Sequence, residues 1–210
     1  MIFYRTIGCE AEDEFLERKS RFIGSIKPIQ SEDEAINFIN RKREEHSSAS
    51  HNVYAYCVQQ GNRIRYSDDG EPQGTAGIPV LDVLKKNEVT DVVVVVTRYF
   101  GGILLGAGGL VRAYSHGAKL ALDAGKIVTM GLFVKLELIC EYAQYGKIAA
   151  LIASLDGKIE EETFYDTVRV SFFILKDQVA FLNKNLSEIT SGQVTAQKIS
   201  ESFLPIYDRK

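Results

Sequence analysis

The chain has 210 residues, of which 45% are hydrophobic and 25% charged, and its formal net charge is -3. This length exceeds the commonest domain size of roughly 100 to 150 residues, so we expect two domains, each with a core of its own. The acidic balance argues against a protein that coats nucleic acid by bulk electrostatics. The net charge does not exclude a local basic patch.

Cellular location is indicated by two further properties of the sequence. The three cysteines are widely spaced and odd in number, so they indicate neither a disulfide framework nor a CxxC zinc site. The N-terminal segment is acidic, unlike a signal peptide, and no apolar run approaches the roughly 18 residues that span a bilayer. We therefore expect a cytoplasmic protein with no membrane partner.

The first predicted elements are a strand, a helix and a hairpin. After a polar lead-in, residues 21–29 alternate in the manner of a strand. Ser31 and Glu34 have the spacing of a capping box, so a helix should begin there and fray near residues 45–50. Two strand-like segments on either side of Gly61 then predict a hairpin, over residues 53–59 and 63–66.

A loop rich in turn-forming residues, at positions 67–74, precedes the next helix, strand and helix. Apolar residues at helical spacing predict the first helix over residues 78–84. Residues 91–97 predict a strand buried on both faces, because five consecutive valines occupy it. Apolar residues at helical spacing predict a second helix over residues 110–124, and Gly125 lies where the C-terminal cap of this helix is expected.

The pattern then begins again as a second series of elements. Strands and helices alternate in the order βαββαβ, with strands at 133–141, 158–163, 167–175 and 194–200 and helices at 144–155 and 178–189. This order is typical of the ferredoxin-like split βαβ motif. We therefore predict an α+β protein of two domains, 1–131 and 132–210, with the boundary near Gly131.

The stretch that most suggests a functional site joins the valine-rich strand to the following helix. Residues 92–112 read VVVVVTRYFGGILLGAGGLVR, with an arginine at each end of a glycine-rich loop. Glycine leaves the backbone free to adopt positive φ or to approach a ligand closely. The glycines of this loop are Gly101, Gly102, Gly106, Gly108 and Gly109.

This loop lacks the common nucleotide-binding motifs. A Walker loop needs Gly-Lys-Ser/Thr, but Ala107 follows Gly106, and a dinucleotide fingerprint that begins at Gly106 would need glycine in place of Val111. A helix N-terminus with free N–H groups remains, and it attracts anions. Arg98 and Arg112 could add bidentate donors for a phosphate. Alternatively, these arginines pair with carboxylates of the acidic loop, which are Asp68, Asp69 and Glu71.

Neighbouring residues extend this candidate site. The acidic loop could hold Mg²⁺, which prefers oxygen ligands, but such a cluster is more often a solvated turn, and we expect no metal or cofactor. His51 is placed to lie at a strand mouth beside the glycines, while nucleophilic catalysis by pairing with Cys57 or His116 has no support in the sequence. Tyr99 and Phe100 offer surfaces on which unpaired bases stack, and Lys19-Ser20-Arg21-Phe22 supplies a second basic and aromatic segment.

Four segments of the first predicted domain carry a family resemblance. They are residues 19–23 (KSRFI), 49–56 (ASHNVYAY), 68–77 (DDGEPQGTAG) and 98–112 (RYFGGILLGAGGLVR). With these segments the chain resembles the YigZ/IMPACT family. The chain departs from the family pattern at Val53, where cysteine is frequent, and a cysteine nucleophile at that point is therefore ruled out.

The resemblance implies both a fold and a direction for function. It implies an N-terminal α/β domain shared with a small-subunit ribosomal protein and with domain IV of elongation factor G, and a C-terminal ferredoxin-like domain like those of the same factor. It also links the chain to translation regulation through the eukaryotic branch of the family.

The leading hypothesis is a cytoplasmic protein that binds RNA or the ribosome. Its binding residues would be Arg98, Tyr99, Phe100, the glycines, Arg112 and His51. The alternative is an enzyme that acts on a phosphorylated small molecule through the glycine loop, and the oligomeric state stays open.

Overall fold

The computed structural model of the chain describes residues 3–206, which divide into two units. The first unit runs from Tyr4 to Thr129, and the second contains Phe3 and residues 130–206. The change from one unit to the other falls inside a long strand rather than in a loop. Within residues 3–206, no helix is both long enough and apolar enough to cross a membrane.

The elements up to residue 125 are, in chain order, β1 Phe3–Ile7, β2 Ala11–Glu17, β3 Ser20–Pro28, α1 Glu32–Glu45, β4 His51–Val58, β5 Arg63–Ser67, α2 Gly77–Lys86, β6 Val92–Tyr99 and α3 Ala107–Gly125. Strands β2 to β6 form one sheet in the order β2-β3-β6-β4-β5, and every neighbouring pair in it is antiparallel. Strand β6 is therefore the centre of the sheet.

Strand β6 is buried on both faces because helices cover the sheet from both sides. Val92, Val94 and Val96 belong to the core shared with α2 and α3. The alternate residues Val93 and Val95 belong to the core shared with α1. Since burial of one valine side chain contributes roughly 1.5 to 3 kcal/mol, this strand anchors both layers. The predicted double burial is confirmed, in an antiparallel sheet.

Helix α1 begins where its capping residue predicts, although one of the two capping bonds differs. The Ser31 hydroxyl accepts from the Glu34 N–H at 3.2 Å. The Glu34 carboxylate accepts from the N–H of Gln30 at 3.0 Å instead of returning to Ser31. The helix end at Glu45 agrees with the predicted fraying.

The polar lead-in forms two strands that the sequence pattern did not reveal. Strand β2 pairs with β3 along its whole length, and most of its side chains are exposed. An edge strand with one solvated face tolerates the charges of AEDEFLE, which conceal its alternation. In the first unit, the Thr6 hydroxyl of β1 donates to the Asp91 carbonyl at 3.1 Å.

The remaining elements are β7 Ile127–Cys140, which begins in the first unit and continues into the second, and then α4 Tyr142–Ser154, β8 Lys158–Phe164, β9 Val168–Leu175, α5 Val179–Thr190 and β10 Gln197–Ile206 in the second unit. Strand β9 pairs antiparallel with both β7 and β8, and β10 pairs with β7. The two helices share one buried core with β9, to which Ile152 of α4, Leu186 of α5 and Phe172 of β9 all belong. The predicted ferredoxin-like βαββαβ order is confirmed, although β7 begins six residues before the predicted strand.

Candidate functional site

Arg98 lies in a buried ionic network near the end of β6. Its Nη1 donates to Glu71 Oε1 at 2.6 Å, and the two side chains are only 6% and 4% exposed. The same carboxylate oxygen accepts from the Tyr114 hydroxyl at 2.8 Å. Of the two roles that the sequence left open for Arg98, the structure therefore shows the ion pair with the acidic loop.

Aromatic rings enclose this ion pair. The Arg98 guanidinium carbon lies 5.4 Å from the ring centroid of Phe22 and 5.3 Å from that of Phe100. Burial, followed by the charge of Glu71, raises the pKa of Tyr114 far above its ordinary value, so the hydroxyl keeps its proton. A buried carboxylate with two donors is stable here, whereas loss of one partner would leave an unpaired buried charge.

Asp68 shapes the acidic loop by capping helix α2. The helix begins after Ala76, which has no oxygen on its side chain, and Asp68 Oδ1 accepts from the N–H groups of Ala76 at 3.0 Å and Gly77 at 2.8 Å. Asp68 Oδ2 accepts from the Gly74 N–H at 2.9 Å. Burial alone would raise the pKa of Asp68, but these hydrogen bonds outweigh it and lower the pKa.

Asp69 and His51 hold the other side of the loop. Asp69 Oδ2 accepts from the Asn52 N–H at 2.7 Å, and its Oδ1 pairs with Arg43 at 2.7 Å. His51 is the first residue of β4, and its Nδ1 lies 2.9 Å from the Asp69 carbonyl oxygen, so Nδ1 carries a hydrogen. Its Nε2 lies 3.7 Å from Glu71 Oε1. His51 thus lies beside the network, and the three acidic residues all have internal partners.

A group of metal-ligand types does occur elsewhere in the described chain. Glu12, Glu45 and His46 bring their ligand atoms within 4.8 Å of one another. The Lys42 ammonium, however, donates to Glu12 at 2.7 Å and to Glu45 at 2.9 Å. This lysine supplies the positive charge that the two carboxylates need.

The glycines between β6 and α3 divide into two kinds. A Cβ on Gly101 would lie 2.0 Å from the backbone carbonyl of Lys19, so this glycine allows the loop to pack against the β2–β3 turn. Gly102 and Gly106 have φ of +81° and +71°, and nothing lies within 4 Å of a Cβ built on either. Gly108 is equally open, at the first turn of α3. The open glycines leave backbone that a ligand can approach.

The aromatic and apolar residues of the loop differ in accessibility. Phe100 is 47% exposed and Leu104 is 80% exposed. Tyr99 is half-buried, and its hydroxyl lies 3.0 Å from His46 Nδ1 at the end of α1. Phe100 is therefore the accessible member of the predicted stacking pair.

Cations from the β2–β3 turn join Arg112 beside the loop. Arg18 and Lys19 form that turn with positive φ, and both are exposed. Arg18 lines the same cleft as Arg112, and its guanidinium lies 3.5 Å from the Leu104 carbonyl oxygen. Among the arginines of residues 3–206, only Arg18, Arg65 and Arg112 lack a carboxylate partner.

The sequence motifs included Lys19 and Arg112 in the candidate site but not Arg18, which precedes the KSRFI segment. The position of Arg18 directly before Lys19 could have indicated that it belongs to the same basic turn. We define the loop face as the exposed surface formed by Arg18, Lys19, Phe100, Gly102, Leu104, Gly106, Gly108 and Arg112.

The fold and this surface define a two-domain α+β protein with a glycine-rich loop held in place by a buried ion pair. The Impact N-terminal domain model matches residues 18–122, and the model of a domain of unknown function, DUF1949, matches residues 138–193. The chain belongs to the IMPACT family.

Relatives match along most of the chain. The IMPACT family member YvyE of Bacillus subtilis is 35% identical over 191 residues, which cover 90% of this chain and 88% of that protein. The IMPACT family member YigZ of Escherichia coli is 35% identical over 187 residues, which cover 88% of this chain and 92% of that protein. A solved crystal structure of a hypothetical protein superimposes with a TM-score of 0.61 at 32% identity, covering 95% of this chain and 98% of that one.

Proposed function

We propose that this protein binds RNA through the loop face and acts as a cytoplasmic, ribosome-associated factor in translation regulation. The observation that carries the proposal is the grouping of Arg18 and Arg112 at one cleft with Lys19 in the same turn as Arg18. All three are exposed cations without a carboxylate partner among residues 3–206, in a chain whose net charge is -3. Cations without a carboxylate partner attract phosphates, and each phosphate contact contributes to affinity by releasing counterions.

The other components of the loop face match the same ligand. The exposed ring of Phe100 is a surface for base stacking, which is sequence-tolerant because every base has a π face. The N–H groups of the first turn of α3 add donors for phosphate, and the open glycines allow close approach. Arg98 supports this surface from beneath, through its contact with Phe100.

The ribosome is the RNA partner that the resemblance to translation factors favours, although a shared fold by itself assigns no function.

An enzyme acting on a phosphorylated small molecule would need the acidic loop to hold a metal ion or to transfer a proton. Because all three of its acidic residues already accept hydrogen bonds from internal donors, we do not propose that reaction.

The test is fluorescence anisotropy of a labelled single-stranded RNA at several KCl concentrations. We expect the logarithm of the affinity to fall linearly with the logarithm of the salt concentration, and Lys19→Gln to reduce that slope by about 0.7. Phe100→Ala should weaken binding by roughly 5- to 150-fold, since one stacked base contributes about 1 to 3 kcal/mol.

The matched control for this test is Lys85→Gln, which removes the same charge from the exposed end of α2, outside the loop face. It should bind RNA with the affinity and salt slope of the wild type. Wild-type protein without measurable RNA affinity at low salt, or loop-face variants that behave like the control, would overturn the proposal.

A further inference from the structure

A cleft of about 430 Å³ lies between strand β2 and helix α3, next to the glycine-rich loop. Gly109, Arg112 and His116 line its helix side, and their spacing of three and four residues places them on one face of α3. Phe15 and Arg18 line the opposite side. Its volume lies within the roughly 300 to 1,000 Å³ that is typical of small-ligand sites.

The aromatic part of the cleft is held in a fixed arrangement. The ring of His116 meets the ring of Phe15 edge to face, with centroids 4.5 Å apart. Phe15 in turn stacks on the fully buried ring of Phe22 at 5.1 Å. His116 itself is exposed, and its ring nitrogens can donate to or accept from the edge of a nucleobase.

The charged part of the cleft suits a phosphate. Arg18 and Arg112 both line it and have no carboxylate partner in the described chain. Glu17 is the acidic residue of the lining, and it is exposed to solvent. Arginine donors favour phosphate because their planar fork binds two oxygens together.

We propose that this cleft receives one unpaired nucleotide of a single-stranded RNA, with the base against Phe15 and His116 and the phosphate between Arg18 and Arg112. The inference rests on the proposed binding of RNA by the loop face, which the cleft adjoins. A base inside a duplex must leave its stack to enter such a cleft, at a cost of a few kcal/mol. The cleft therefore makes the protein selective for single strands.

The experiment compares a labelled 12-nucleotide RNA, single-stranded and as a blunt duplex, by anisotropy at one fixed salt concentration. We expect the wild type to bind the single strand at least tenfold more tightly. His116→Ala should weaken single-strand binding by roughly 5- to 150-fold, the effect of one stacked base, and leave duplex binding unchanged. Arg112→Gln should weaken single-strand binding as an independent variant.

The control is Lys119→Gln, one turn further along α3, which removes an exposed cation that pairs with Asp123 and does not line the cleft. Urea unfolding of each variant separates lost affinity from lost structure. Competition with uridine monophosphate distinguishes a free nucleotide from a strand, and displacement of the RNA at micromolar concentrations would overturn the strand as occupant.

Failure of this inference differs from failure of the proposed function. Salt-dependent RNA binding that shows no preference for single strands and is unaffected by His116→Ala, but is still weakened by Lys19→Gln and Phe100→Ala, would overturn the nucleotide cleft and leave the loop face as the RNA site. Absence of any RNA binding by the wild type would overturn both.

Discussion

Glu71 and Arg98 form an ion pair at 2.6 Å although 27 residues separate them along the chain, and both side chains are almost completely buried. The pair connects the acidic loop after β5 to the end of the central strand β6. Tyr114 of α3 donates to the same carboxylate, so the Glu71 side chain connects the acidic loop, β6 and α3. We infer that these bonds to Glu71 fix the position of the loop face.

Removal of one partner of the pair should be more harmful than removal of both. Arg98→Met leaves a buried carboxylate without its cation, so we expect the free energy of unfolding to fall by about 3 to 5 kcal/mol. The double variant Arg98→Met with Glu71→Leu should recover part of this loss. Urea denaturation measures both effects, and a loss of less than about 1 kcal/mol in Arg98→Met would contradict a structural role for the pair.

Tyr114→Phe isolates the hydroxyl of the network without altering the ring. One hydrogen bond to a buried charged group contributes roughly 1.5 to 3 kcal/mol, and we expect a loss of that size in urea denaturation. Tyr66→Phe is the matched control, since Tyr66 is 47% exposed. That control should stay within about 0.5 kcal/mol of the wild type, and an equal loss in the two variants would contradict the prediction.

Asp68→Asn should make the protein less sensitive to acid. The pKa of Asp68 is held below its ordinary value of 3.8, so the ionised group stabilises the fold above that value. This stability is lost as the pH falls through the lower folded pKa. We expect Asp68→Asn to be less stable at pH 7 and to show a flatter loss of stability between about pH 5 and pH 2.

The measurement is the urea midpoint at several pH values, with Asp82→Asn as control. Asp82 lies exposed on α2, whose first N–H groups Asp68 caps. If the Asp68→Asn curve runs parallel to the wild-type curve across this range, the capping role of the charge is disproved.

Two glycines of the same loop should respond in opposite directions to alanine. Gly101→Ala places a Cβ 2.0 Å from the Lys19 backbone, so overpacking should destabilise the protein by about 1 to 3 kcal/mol or more. Gly108→Ala meets nothing within 4 Å and lies in a helix, where alanine is more favourable by up to about 1 kcal/mol. Thermal unfolding of the two variants tests this contrast, which similar melting temperatures would refute.

Gly108→Ala also tests the loop face itself. Its first-turn backbone is proposed to approach the RNA, so the added methyl group should weaken RNA binding even though it stabilises the helix. Anisotropy measured on this stabilised variant separates the two effects. Unchanged affinity would place the RNA contact away from the first turn of α3.

Periodic apolar patterns made much of the architecture predictable. The five valines of β6 and the βαββαβ order of the second unit needed only the spacing of apolar residues. Strand β2 was not predicted, because its exposed side chains are charged and its composition therefore resembles that of a loop. The start of β7, at Ile127, and the bounds of β10, Gln197–Ile206, also differ from the predicted strands.

The sequence by itself determined the family resemblance, the order of most elements and the glycine-rich loop as the centre of interest. Only the tertiary structure decided that Arg98 turns inward to Glu71, and that Arg18 joins Arg112 at the loop face. Secondary structure follows from local spacing, which the sequence contains directly. The partner of a charged side chain depends instead on sheet order and helix placement, which bring together residues that lie far apart along the chain.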